Sequence, residues 1–407
     1  MSKAIKRLTT AFMVLVMYPA SAQWTDLTTG ITNDLNDVHF INNNEGWAVG
    51  RQGKIIHTTN AGSTWTLQNS GTTNDLNDVF MVNSTCGYCV GNGGKTLKYN
   101  GTTWSTLSIG FSQDMFGVHF LTTTEGWISG DWGRIMMTTD GGSSWTTQMD
   151  NSIYSNTFND LSMISSSDGW AVGSSGRVLH YDGANWSNVS NPASAGLINL
   201  YSVSFNNTSN GFMTGESSKV YQWDGSSWNE HSTSLPDNSF HVYGVHTISN
   251  TLAYAATSAG FGGEGYILKY NGTSWITSYS YTGMGTELFT GIHFPSAGKG
   301  YCVANSGIVK TLGTASAIDE NAVAELDVNV FPNPVSDFVN IRYNLEKGSQ
   351  VTIEIFNLSG HKIIDLCSFI QGAGWHEFKA DLRAFESGVY LVKIQAGDCV
   401  SVREVIK

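Results

Sequence analysis

Charge is scarce in this chain: Asp, Glu, Lys and Arg together make 13% of its 407 residues. Proline is scarcer still, at 6 against 45 Gly. Thin charge with abundant Ser, Thr, Asn and Gly argues against a helical build and for many short strands joined by tight turns. Five cysteines in a chain of this size exclude a disulfide framework. The run AFMVLVM at 11–17 is too short to cross a bilayer, and no later apolar stretch is longer. Basic clusters are missing too, and the formal net charge is −12. That balance argues against nucleic acid and against anionic membrane surfaces as partners.

What the chain has is a leader, a repeat and a distinct tail. Residues 1–22 combine Lys3, Lys6 and Arg7, the short apolar run, and the small residues Ala20, Ser21 and Ala22. This is the three-part pattern of a secretory signal, with cleavage expected between Ala22 and Gln23. Removing it takes three positive charges, so the mature chain carries 18 basic against 33 acidic residues, or −15.

The heptapeptide TNDLNDV stands at 32–38 and again at 73–79. It belongs to a wider pattern, Leu-x-x-Val-x-Phe with drift, which opens at Leu35, Leu76, Met115, Phe158, Leu200, Val242 and Phe289. Each unit continues with a Gly-aromatic-x-x-Gly strand, as at 46–50, 87–91, 126–130, 169–173 and 211–215. A third strand follows, then a turn and a Trp opening a fourth: Trp65, Trp104, Trp145, Trp186, Trp228 and Trp275. Four short strands in about 42 residues is the length of a β-propeller blade. The seventh unit stops after its third strand. Residues 23–27, QWTDL, supply the missing fourth, so the N-terminus is expected to close a seven-bladed ring.

Two turn types precede the Trp. TTNAGST at 58–64 and TTDGGSS at 138–144 resemble the Asp-box, or bacterial neuraminidase repeat. The other blades use an Asn-Gly or Asp-Gly turn. The whole unit is similar to the photosystem II stability/assembly factor-like propellers over residues 23–312. In that family a basic patch on the propeller face holds a client protein.

Residues 313–327 read as an acidic linker, and 328–407 as a small immunoglobulin-like β-sandwich. This tail resembles the type IX secretion C-terminal sorting domain of Bacteroidota through Pro332-Asn333-Pro334, residues 357–360, the strand at 388–394 and the basic end Arg403 to Lys407. The resemblance implies a signal peptide into the periplasm, then export to the surface or beyond by the type IX machinery, with a sortase acting on the tail. Cys367 and Cys399 are a candidate pair within it.

In a propeller the fourth-to-first connections and the second-to-third turns share one face, which usually carries function. Lys54, Lys95, Arg134, Arg177 and Lys219 recur there, and Asp131-Trp132-Gly133-Arg134 puts an aromatic at a hairpin tip. Loops of blade 6 depart from the repeat. The candidate ligand-binding residues are therefore Asp131, Trp132, Arg134, Arg177, Phe261, Glu264, Tyr279, Tyr281 and Glu287. His39, His119, His246 and His293 share one slot and read as a repeated packing position. Asp37, Asp78 and Asp160 read as hydrating the channel mouth. Cys86 and Cys89 have redox-motif spacing but sit in a strand and read as small buried thiols. No cofactor or metal is expected. A sialidase needs an arginine triad, and the propeller has only Arg51, Arg134 and Arg177. The expectation is a secreted, non-enzymatic recognition or scaffold module for a protein or glycan. The alternative is a glycan-active hydrolase with Glu264 and Glu287 as its carboxylate pair.

Overall fold

The computed structural model describes residues 23–150, 157–259, 263–281, 287–313, 328–345, 348–357, 362–383, 385, 388–396 and 399–407. The leader up to Ala22, Phe261, the linker at 314–327 and the side chains of Cys367 and Cys399 lie outside the described residues. The chain divides into two compact units, Met1–Ala315 and Ser316–Lys407.

The first unit contains seven four-stranded antiparallel sheets. Their first strands neighbour one another in sequence order, and the seventh returns to the first. In the first sheet the strands are Leu35–Phe40, Gly46–Gly50, Ile55–Thr58 and Thr66–Gln68. The last sheet is completed by Gln23–Leu27, which pairs antiparallel with Val309–Gly313, Gln23 opposite Gly313 and Leu27 opposite Val309. The expected closure by the N-terminal strand is what the chain does. In the Asp-box blades the fourth strand starts one residue later than expected, at Thr66 and Thr146, because Trp65 and Trp145 still belong to the longer turn.

Core residues lie between sheets rather than inside one. Trp47, Val49 and Ile55 of blade 1 pack on Leu76, Val79 and Leu97 of blade 2, and the same wedge recurs around the ring to Leu35 and Val38 against Tyr301 and Val303. The repeat motif follows from this packing. The Phe40 ring stacks on Tyr301 at 3.5 Å and 3°, and Phe120 on Tyr88 at 3.5 Å and 2°. Its other side covers a glycine: a Cβ on Gly46 would stand 2.4 Å from the Phe40 ring. The second glycine, Gly50, faces backbone, and a Cβ there would lie 2.0 Å from Asp34 O. Both glycines are required by close approach.

The Ser316–Lys407 unit is a two-sheet antiparallel sandwich. Three strands, Val328–Phe331, Phe338–Leu345 and Gly374–Asp381, face four: Lys362–Gln371, Ser349–Asn357, Val389–Ala396 and Cys399–Ile406. Val339, Ile341, Ile353, Ile355, Val392 and Ile394 form its buried core.

Candidate functional site

The second-to-third turns and the fourth-to-first connections do meet on one face. Arg51 N donates to Asp34 O, Asn92 N to Asp75 O, Asp131 N to Asp114 O and Ser174 N to Thr157 O, each at 2.9 Å. These turns place a residue in the left-handed region: Gln52, Gly93, Trp132, Ser175 and Ser306 have φ between 56° and 68°. A bulky residue is unfavourable there. Trp132, at φ 61°, is also 46% exposed.

Trp132 meets Phe111 edge-on at 6.1 Å, and the Arg134 guanidinium lies over the same Phe111 ring at 4.1 Å. Arg134 is tied down by Asp150 Oδ2 at 2.9 Å and Thr147 Oγ1 at 3.2 Å. Asp131 accepts from Thr157 Oγ1 at 2.7 Å. Asp131, Phe111 and Arg134 thus form a base, with Trp132 standing out of it. Phe111 carries no mark in the repeat pattern, since only folding brings it under Arg134. One further exposed apolar side chain on this face is Leu197, also left-handed at φ 51°. It ends an unexpected short helix, Pro192–Gly196, started by Pro192 and by Asn191 accepting from Ser194 N.

Three of the five basic positions are engaged within the propeller. Arg134 is paired with Asp150, and Lys219 with Glu230 at 2.5 Å, both toward the outer strand of the blade. Arg177 lies over Phe158 at 5.3 Å.

The blade 6 candidates separate. A Cβ on Gly265 would meet Glu287 O at 2.0 Å, so the segments carrying Glu264 and Glu287 are adjacent. Their carboxylates are occupied differently. Glu264 accepts from Tyr266 Oη at 3.3 Å. Glu287 binds the ammonium of Lys310 at 3.1 Å, and Lys310 is 2% exposed, paired also with Asp26 and lying 4.6 Å from the Tyr279 ring centroid. Burial works to lower the Lys310 ammonium, but its contacts with Asp26, Tyr279 and Glu287 outweigh that and hold it above its ordinary range. Glu287 and Tyr279 therefore belong to a lock joining blades 6 and 7 to the N-terminal strand. Tyr281 is half-buried opposite Gly265 at the end of Trp275–Tyr281.

A channel of about 560 Å³ runs between the first strands. Asp37, Asp78 and Asp160 line it and bond the next blade: Asp37 accepts from Val79 N at 3.2 Å, Asp78 from Val118 N at 2.6 Å, and Asp160 from Val203 N at 2.8 Å. Surrounding protein desolvates all three and raises their carboxyls, Asp160 to about 7, despite those hydrogen bonds. The histidine slot does the same stapling. His39 Nδ1 accepts from Met81 N at 3.4 Å and His293 Nδ1 from Phe40 N at 3.3 Å. Desolvation keeps these rings neutral, with His39 down to about 3 and His119 and His246 to about 4. Among the described residues no group of His, Cys, Asp and Glu is arranged to hold a metal. Cys86, Cys89 and Cys302 are buried free thiols.

Residues 16–98 and 96–194 match the model of the photosynthesis system II assembly factor YCF48, and residues 329–407 that of the secretion system C-terminal sorting domain. The chain is a propeller fused to a type IX secretion sorting tail. The tail marks it for export to the cell surface or outside, through the type IX machinery. Among solved structures, YCF48 bound to a D1 peptide is 19% identical, covering 74% of this chain and all of that one with a TM-score of 0.58. YCF48 from Cyanidioschyzon merolae is 16% identical, covering 72% of this chain and 99% of that one, also at 0.58. PorZ of Porphyromonas gingivalis, an essential surface component of the type IX secretion system, is 13% identical over 92% of this chain and 59% of its own, at 0.53. At these identities the likeness is one of fold. No protein of curated function matches the chain. Among the described residues no helix is long and apolar enough to cross a membrane.

Proposed function

We propose that the chain is an exported recognition or scaffold module. The face carrying the second-to-third turns holds a glycan or protein, with Trp132 as its anchor. The observation that carries this reading is the combination at Trp132: exposure together with a left-handed backbone. Strain of this kind costs about 1–3 kcal/mol and persists where it serves a site. Gly or Ser fills the same place in blades 2, 4 and 7, so a bulky aromatic is not needed to form the turn. A half-exposed indole set edge-on to Phe111, with Asp131 alongside, suits stacking on a sugar ring or insertion into a partner's pocket.

The test uses the purified chain against polysaccharides, sialosides and surface-protein extracts, reading binding and released sugar ends together. Trp132→Ala should lower affinity by roughly tenfold or more. Trp132→Gly should do the same while raising the melting temperature, because glycine relieves the left-handed strain. Unchanged binding in both variants sinks Trp132 as the anchor. Release of sugar ends would make the protein a hydrolase. After export, removal of the tail by a sortase is the expected last step, read as the mass of the surface-bound product.

A further inference from the structure

At the histidine slot, a side chain on one first strand accepts an N–H from the first strand of the next blade, and two chemistries make this join. Ser162 Oγ accepts from Phe205 N at 3.3 Å and Ser204 Oγ from Thr247 N at 2.9 Å, joining blade 4 to 5 and blade 5 to 6. His293 and His39 make the same join through Nδ1, from blade 7 to 1 and from blade 1 to 2. A backbone N–H can only donate, so Nδ1 is the bare nitrogen and Nε2 carries the ring's proton. A second proton can go only to Nδ1. It would turn the acceptor into a donor facing a donor, and the join would be lost. A serine hydroxyl has no such transition in the same pH range.

The surroundings oppose that proton. His293 lies between two other histidines, its ring centroid 4.3 Å from His39 and 4.6 Å from His246. Phe80 bridges His39 to His119, at 4.7 and 4.6 Å. The other titratable groups lining the channel are Asp37, on the strand of His39, and Asp78, Asp160, Tyr201 and Tyr243 on other blades. Among the described residues no carboxylate pairs with a channel histidine. Burial first, and the neighbouring histidines second, hold His39 and His293 below the ordinary imidazole range. The carboxyl joins behave differently. On taking a proton, Asp37, Asp78 and Asp160 each keep a carbonyl oxygen that still accepts from Val79, Val118 and Val203 N.

We infer that the closing side of the ring carries a proton-operated latch: acid releases the inner joins from blade 7 to 1 and from blade 1 to 2, while those from blade 4 to 5 and from blade 5 to 6 hold. A histidine freed into water titrates near pH 6.5, above its value in the closed ring. The open form therefore binds more protons below that pH. The closed form is fully favoured above about pH 6.5 and loses ground as pH falls. At pH 5 the shift toward opening is about thirtyfold for each histidine released. Release is confined to the inner strands, because Thr290 Oγ1 donates to Leu35 O at 2.8 Å across the same seam and does not titrate. Nothing in this device depends on what the recognition face binds.

The test is amide hydrogen exchange of the full chain at pH 7.5 and 5.0, resolved to single residues by mass spectrometry and corrected for the intrinsic effect of pH. Exchange at Phe40 N and Met81 N should rise at least about tenfold at pH 5.0, and at Phe205 N and Thr247 N less than about twofold. His293→Ser and His39→Ser install the hydroxyl already used in blades 4 and 5. The first should abolish the acid response at Phe40 N and the second at Met81 N. Equal acceleration at all four amides would mean general loosening in acid and overturn the inference. Unchanged exchange at Phe40 N and Met81 N overturns it as well, and so does an acid response that survives in the serine variants. The wild-type comparison needs no variant, so it decides alone where a serine variant fails to fold.

Discussion

Asp160 accepts three hydrogen bonds, from Leu161 N, Val203 N and Ser202 Oγ, and burial still raises its carboxyl to about 7. Its folded value therefore exceeds the unfolded one. The native state binds the extra proton between about pH 4 and 7, so the stability linked to this group is present at low pH and lost as pH rises through 7. Asp160→Asn should then melt higher than wild type at pH 8, by roughly 1–2 kcal/mol after allowing for channel water. At pH 4 the advantage should vanish or reverse, because the amide loses an acceptor. Thermal melts at the two pH values decide it, and a pH-independent difference would contradict the assigned charge. None of this could be read from the sequence. Asp37, Asp78 and Asp160 stand a blade or two apart in the chain, and only ring closure brings their charges together.

The glycine-flanked strand was legible, and its repetition is the reason. Gly46 and Gly50 recur with an aromatic (Trp, Tyr or Phe) between them, so one physical cause had to recur too. The sequence could not say that the cause was close contact: a ring over the first glycine and the Asp34 carbonyl against the second. Gly50→Ala should cost at least about 2 kcal/mol, since neither backbone can yield without moving the turn. Its effect should exceed that of Gly71→Ala, where a Cβ meets nothing within 4 Å and only the positive φ is at stake. Chemical denaturation of both variants makes the comparison, and equal costs would show that backbone freedom rather than contact matters. Elements that depart from the repeat were the illegible ones. Lys310 sits in a strand slot where the repeat pattern carries no sign of a buried cation, so the pairing that occupies Glu287 is invisible in the sequence.

At the scale of the molecule, closure of the ring rests on five residues. Trp24 is 4% exposed, packs edge-on against Tyr254 and Phe294, and donates to Ser278 Oγ at 3.0 Å. Asp26 adds its carboxylate to the Lys310 lock. Deleting Gln23–Leu27 should expose the edge of Val309–Gly313 and leave Lys310 with one partner fewer. The larger loss is the buried Trp24 side chain, worth about 3–5 kcal/mol by itself. The deleted chain should melt far lower, and proteolysis should start in blade 7. Cleavage beginning instead between inner blades would mean that the ring does not depend on its clasp.

The same clasp sets an order in time. The strand made first, Gln23–Leu27, has no partner until the strand made near the propeller's end, Val309–Gly313, has appeared. Blades 1 to 6 each contain four strands consecutive in the chain and can form as they emerge. The seventh waits for the whole. A propeller cut short during synthesis therefore cannot hide Trp24 or neutralise Asp26, and its unfinished state is displayed at its own beginning. Completeness is tested by the molecule itself, through a contact that spans nearly three hundred residues.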